Sequence, residues 1–302
     1  MNTKSQISNF QSQRSTNASR ISFFRQKDKV WFIIWIAITT FIGIWDILFL
    51  NKPALKKVVT GFVNTFFISF LVILFTLLFG WLMTLWLNSL QTRKNQTGYL
   101  LVTFLLNLIR SIPQIVGILF GYIGISYLIS QDVLHSNLII FPLMAGTMSM
   151  FIFLELVDLM RERISHYKKL DFYNAMLVCG ISERRIVNFD ILWKNSRIHI
   201  FNKLISVFGI AVFLQCSVDF IISVGLSTNV NAVNLPATLG SLLAKIDSKQ
   251  DILAIGHTLT HPTYLPNIFF GHLQGITVAF LIVFTLLSIY NISNGYAERH
   301  RL

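Results

Sequence analysis

KLDFYNAMLVCGISERRIVNFDILW, Lys169 to Trp193, is a polar and basic passage between two of the longest apolar runs in the chain. Its pattern predicts helix, turn, helix, facing the cytoplasm. Phe172, Ala175, Met176 and Cys179 recur at helical spacing and line one side of a helix of about ten residues. Asp171 is placed to cap its start, and Gly180 to end it in the left-handed conformation that only glycine adopts cheaply. Ser182 offers a second N-cap, with Glu183 in the first turn, where a negative charge suits the helix dipole. The expected product is a short amphipathic helix held outside a bilayer.

The bilayer follows from what flanks this passage. The chain has 302 residues, 54% of them hydrophobic and only 13% charged, and its mean hydropathy is +0.62. That composition excludes an ordinary water-soluble globule and implies an all-α, multi-pass membrane protein. Val30 to Leu50 supplies about twenty apolar residues, enough for a hydrocarbon core roughly 30 Å thick. Further apolar runs extend from about Gly61 to Leu87, Tyr99 to Ile129, Leu138 to Met160, Ile200 to Val224 and Ile276 to Ile292. About six transmembrane helices are expected, with a polar tail over 1–29 and a transmembrane domain over 30–302. Within that domain, 61–293 is the expected core, 161–199 the long loop and 225–275 a mixed outer segment. The tail lacks the apolar core of a cleavable signal, so the first span is expected to serve for targeting.

The formal charge of +12 is distributed as a membrane requires. With both termini inside, the cytoplasmic tail holds Lys4, Arg14, Arg20, Arg25, Lys27 and Lys29, and the long loop holds Arg161, Arg163, Lys168, Lys169, Arg184, Arg185, Lys194 and Arg197. The outer segments hold only Lys52, Lys56, Lys57, Lys245 and Lys249. Positive charge on the inside is the expected bias, so it needs no nucleic acid to explain it. The two cysteines, Cys179 and Cys216, are expected to be reduced thiols.

Several polar residues within the apolar runs are candidates for a translocation pathway or gate. Arg110 stands about eleven residues into its span, where an unpaired charge costs roughly 3 kcal/mol or more. It must therefore face a partner or a watery cavity. Pro113 removes a backbone bond from the same span, which predicts a kink or break there. Gln215 and Asp219 fall on one face of the fifth span, with Asp219 toward its outer mouth. In the outer segment Leu239, Leu242, Leu243 and Ile246 form a helical stripe after Pro236, as in a helix lying on the membrane surface or across a pore mouth. His257 and His261, four apart and with His272 nearby, have a spacing that suits two imidazoles on one metal, but Pro262 and Thr263 interrupt the helix. No metal ligand is assigned. Glycine-rich phosphate loops and Walker-type sequences are missing, so ATP is not expected to bind this chain.

NAMLVCGISERRIVNFDILW resembles the EAA loop of ABC importer permeases. Asn174, Ala175 and Met176 stand where that family has E-A-A, Gly180 matches its glycine, and Leu192 matches the leucine of its I-x-L-P close. Arg161, Ser165, Asp171, Phe172 and Ala175 align without a gap to the family's preceding run. LNLIRSIPQIVGIL, Leu106 to Leu119, is similar to a segment of peptide and phosphonate permeases. DFIISVGLS and LPATLGSLLAK, Asp219 to Ser227 and Leu235 to Lys245, resemble a block of the dipeptide, oligopeptide and nickel permeases, C-type subunits. Departures include Asn174 for glutamate, Asp190 for isoleucine, Trp193 for proline and Leu239 for tryptophan.

The resemblance implies a permease subunit forming half of a pathway in a bacterial cytoplasmic (inner) membrane, for peptides or a related small solute such as a phosphonate or nickel. It implies a second, similar or identical permease, two cytoplasmic ABC ATPases and an extracytoplasmic solute-binding protein. ATP and Mg would be used by those partners, with no cofactor bound here and no catalysis by this chain. By the same resemblance Asp171, Phe172, Asn174, Ala175, Met176, Cys179, Gly180 and Ser182 form the ATPase-coupling site. A secondary transporter and a membrane scaffold stay open as other classes; the first would usually show internal repeats and paired broken helices, which this sequence does not.

Overall fold

The computed structural model describes residues 26–92, 96–225, 235–244, 246–271 and 273–300, and among these every regular element is helical. Five helices are long and apolar enough to cross a membrane: α1 (Lys27–Phe49), α2 (Lys52–Thr92), α5 (Asn137–Lys168), α8 (Arg197–Gly225) and α12 (Leu273–His300). A bent pair, α3 (Gln96–Ser111) and α4 (Gln114–Ser130), is apolar enough only when taken together, for five or six crossings in all. The chain is an all-α protein built for a multi-pass membrane setting, as its composition predicts.

α2 is the spine. Among its buried positions a stripe of small residues, Gly61, Thr65, Ser69, Val72, Thr76, Gly80 and Thr84, recurs every three or four residues. Small residues let helix backbones approach closely where lipid supplies no hydrophobic drive, and α5 and α8 pack along this stripe. Large apolar residues on the other faces, such as Phe70 (54% exposed) and Leu78 (51% exposed), point outward as a lipid-facing surface requires.

The same helix supplies a depth scale. Lys52, Lys56 and Lys57 stand at one end, and no charge follows from Val58 to Thr92. A hydrocarbon core takes roughly twenty residues, which brings the opposite boundary close to Trp81, an interfacial residue type. The last eleven residues of α2 then project roughly 15 Å into the water on the Lys/Arg-rich side. α5 crosses this boundary near Leu156, whose side chain lies against Gly80.

α1 is peripheral and is laced to α12 by pairs in antiparallel order. Asp46 accepts a 2.9 Å bond from Thr277, Trp35 donates to Thr285 at 3.1 Å, and Lys27 and Asp28 pair with Glu298 and Arg299 at 2.8 Å.

The third crossing is an elbow where the sequence predicts a kinked span. α3 and α4 meet at 88°, at Ile112 and Pro113, where the proline starts α4 at φ −56° and ψ 127°. α4 runs antiparallel along α5, with Gly117 against Phe151, Gly121 against Thr147 and the Tyr122 hydroxyl 3.0 Å from Met148 Sδ. α3 instead crosses α5: Arg161 donates to the Tyr99 hydroxyl at 2.6 Å while Arg110 reaches Asp158. Those contacts lie eleven residues apart on α3 but three apart on α5, so α3 lies nearly along the membrane plane. Its Val102 and Leu106 bury against Leu87 and Val157, while Leu100, Leu101, Phe104 and Leu108 stay exposed. This is an interfacial amphipathic helix, which a hydropathy profile merges with the crossing that follows it.

A short re-entrant helix, α9 (Leu239–Leu243), buried in the bundle, stands where the sequence predicts a stripe on the membrane surface or across a pore mouth. Leu239, Gly240 and Leu242 are buried against α2, α8 and α12, and the stripe breaks at Ala244, with Ile246 opening a separate helix, α10 (Ile246–Thr260). A 3₁₀ turn (Pro262–Tyr264) and α11 (Leu265–Gly271) lead into α12. α6 (Asp171–Val178), α7 (Glu183–Arg185) and a π-helical stretch (Ile186–Asn195) form the cap at the basic end.

Candidate functional site

α6 is held at arm's length from the membrane by polar contacts at its base. Lys168, at the end of α5, donates to Glu183 at 2.7 Å and to Asn88 of α2 at 2.8 Å, and lies 5.9 Å from the Tyr173 ring centroid. Burial opposes the Glu183 charge, but bonds from Lys168, Thr92 and Tyr173 outweigh it and hold the carboxyl below its ordinary range. Burial, and then the Glu183 charge, push the Tyr173 hydroxyl up to about 12. The ion pair is mostly shielded from water, so it pins the turn between α5, α6 and α7 better than an open surface pair would. Beneath it, Tyr173, Ile186, Val187, Ile191 and Leu192 form an apolar cluster with Leu156, Met160 and Ile164 of α5.

α6 ends as predicted. Gly180 has φ +79°, its N–H donates to Leu177 O at 3.0 Å, and Ile181 N–H donates to Met176 O at 3.1 Å. This is a Schellman closure, and Met176 and Ile181 both pack on the apolar cluster, the contact that usually accompanies it.

The start of α6 differs from expectation. Leu170 is the N-cap and no side chain caps the helix; Asp171 is already its first helical residue, so its charge acts only through the helix dipole. Ser182 does occupy the N-cap position of α7, but its hydroxyl makes no capping bond. α6 is also eight residues long rather than about ten.

Of the expected stripe, Phe172, Ala175 and Cys179 are exposed and Met176 is half-buried. The inward side centres on Tyr173 and Met176, and Asn174 and Gly180 are exposed as well. Val178 is 88% exposed, the most open large apolar residue of the cap. Sequence periodicity misses Tyr173 as anchor and Val178 as apex, because a helix of eight residues has too few turns to define a face. The Lys168–Glu183 pair is fifteen residues apart in the chain, and no local pattern announces it.

The π-helical stretch carries the cap back to α8. Ser196 N–H bonds to Ile191 O at 2.9 Å, five residues back, the signature of the wider helix. Trp81 donates to Asn188 at 2.8 Å and its ring meets Trp193 edge-on, 6.3 Å between centroids, which fixes the stretch against α2.

The four pathway candidates fall into two separate places. Arg110 makes a two-oxygen contact with Asp158 at 2.7 and 2.8 Å, beside the elbow that Pro113 starts. Asp158 is two residues beyond Leu156, so the pair sits at the boundary and not in mid-bilayer as the run of apolar residues predicts. Both side chains are about half exposed, 52% and 53%. Replacing Arg110 with Leu is therefore expected to change stability by less than about 1 kcal/mol. A melting shift of ten degrees in detergent would place Arg110 back in the hydrocarbon.

Gln215 and Asp219 are buried in the opposite half of the bundle, where Gln215 bonds to α2 and Asp219 seats the segment that opens α9. Ser69 donates to Gln215 at 3.2 Å, and Thr238 donates to Asp219 Oδ2 at 2.6 Å. Thr238 and Ser241 form a reciprocal capping box at the start of α9. Leu239 N–H bonds to the Thr65 hydroxyl at 3.0 Å, and Asn64 donates to Ala237 O at 2.8 Å. Irregular backbone survives at membrane depth only when protein groups satisfy it, and these side chains supply that here.

Among the described residues no three of His, Cys, Asp and Glu are grouped to hold a metal. The rings of His257 and His261 lie 4.6 Å apart, and His257 also packs with Tyr264; His272 lies outside the described residues. Cys179 and Cys216 are both free thiols.

A comparison with protein-family models gives no match, and a comparison with curated proteins gives none.

Proposed function

We infer that the chain is a permease subunit of a binding-protein-dependent ABC importer, and that α6 is the helix that engages its ATPase. One observation carries the reading. A short helix is anchored through Tyr173 and Met176, ends at a positive-φ glycine, and presents Phe172, Ala175, Val178 and Cys179 to solvent beyond the membrane boundary. An uncovered apolar tip on a braced base is what a moving partner needs in order to push on spanning helices. The motif resemblance over Asn174 to Leu192 supports the same assignment.

In this reading the basic side is cytoplasmic, six crossings form half a pathway, and a second permease completes it. Two ATPases hydrolyse ATP with Mg, a solute-binding protein delivers the cargo on the far side, and this chain does no catalysis. Peptides or a related small solute are the cargo class that the resemblance to the C-type subunits favours.

The test is a pull-down of the tagged chain from its native membrane, read as ATP hydrolysis in the eluate. Val178→Arg is expected to leave expression and melting unchanged, because the side chain is in water, and to lower that hydrolysis at least tenfold. An eluate without ATPase activity from the unmodified chain would remove the importer reading.

A further inference from the structure

A groove of about 890 Å³ runs between α2, α8 and the end of α12, on the side of the bundle next to the π-helical stretch. Its polarity changes along its length. Leu74, Leu78 and Leu204 line the end within the hydrocarbon, where Leu74 and Leu78 are 45% and 51% exposed. Trp81 and Trp193 stand at the boundary, and Arg197 lines the end in water. The depths follow from α2, which crosses the boundary near Trp81, and from α8, whose Lys203 pairs at 2.8 Å with Glu155 at the same level.

Arg197 is exposed and has no hydrogen-bond or ionic partner among the described residues. None of the residues lining the groove is acidic. The walls are fixed independently of any occupant, since Trp81 is bound to Asn188 and Trp193 packs on Trp81. A standing apolar slot that ends in an unpaired guanidinium, with indoles between, matches one chemistry: acyl chains below a phosphate.

We propose that this groove holds an acidic phospholipid of the leaflet on the basic side, with its acyl chains on Leu74, Leu78 and Leu204 and its phosphate on Arg197. A zwitterionic lipid offers the same chains, but its ammonium offsets the charge that Arg197 selects. The proposal stands on the groove alone and does not depend on the importer reading.

The test uses the purified full chain in detergent with equal amounts of phosphatidylglycerol and phosphatidylcholine, and native mass spectrometry to count retained lipid. The unmodified chain is expected to keep phosphatidylglycerol about fivefold over phosphatidylcholine, the preference one interfacial cation supplies. Arg197→Ala should bring the ratio near one, Arg197→Lys should preserve it, and Leu78→Trp should lower retention of both lipids by filling the apolar end. Equal retention by the unmodified chain, or an undiminished preference in Arg197→Ala, overturns the proposal. So does near-complete disulfide trapping of two Leu78→Cys copies in native membranes, which would make the groove a protein interface.

Discussion

Gly240→Ala is expected to be the most damaging single-methyl substitution described here. A Cβ on Gly240 would lie 2.6 Å from Cys216 Cα and 2.8 Å from its carbonyl carbon. Those atoms belong to the backbone of α8, so no rotamer change relieves the overlap, and α9 must move away as a unit. Moving it strains the Thr238–Asp219 bond at 2.6 Å and the Leu239 to Thr65 bond at 3.0 Å, both buried. Overpacking of that kind costs on the order of 3 kcal/mol, and unpaired polar groups at membrane depth add to it. The measurement is thermal melting in detergent beside Gly43→Ala. A Cβ on Gly43 meets nothing within 4 Å, so that variant should melt at or slightly above the parent. If the two variants melt together, α9 is not seated in the bundle as described.

Gly240 also marks where sequence reasoning reaches its limit. The spacing of Leu239, Leu242 and Leu243 predicts an apolar helix face correctly, but a surface-lying helix and a re-entrant one share that face. The glycine in the middle of the stripe is the distinguishing signal, since a missing side chain inside a packed helix allows a neighbouring backbone to approach. The same holds for α2, where hydropathy locates the span while the stripe from Gly61 to Thr84 decides which side is buried. Uniform apolarity conceals faces in membrane helices, because lipid and protein interior have the same polarity.

The elbow at Pro113 is a related case. The proline predicts a break at the right residue, but nothing local sets the 88° angle. That angle comes from α3 finding Leu87 and Phe153 on two different helices. Arg110 then moves from an expected mid-bilayer position to the boundary, and its partner Asp158 is named only by the packing. At the cap, the turn at Gly180 is legible because a positive φ has a one-residue signature. The Lys168, Asn88 and Glu183 network is not, since its members come from three elements whose approach is tertiary.

Gly180→Val is expected to abolish ATPase coupling while sparing the spanning helices, which makes it the sharpest test of the proposed function. The residue sits at φ +79°, and a Cβ there would meet nothing within 4 Å, so the penalty is one of backbone conformation alone. A β-branched residue resists that region by about 1–3 kcal/mol. It can escape only by opening the closure made by Gly180 N–H on Leu177 O and Ile181 N–H on Met176 O. Once open, α6 loses the turn that sets Val178 and Ala175 outward, although Tyr173 and Lys168 still hold its base. Because the strain is conformational, the series should rank by tolerance of positive φ: Asn near the parent, Ala between, Val worst. The readouts are membrane insertion, which all three should retain, and ATP hydrolysis in the eluate of the tagged chain, which should fall in that order. Hydrolysis that stays at the parent level in Gly180→Val, alongside a lowered melting temperature, would keep the turn geometry and discard α6 as the coupling element.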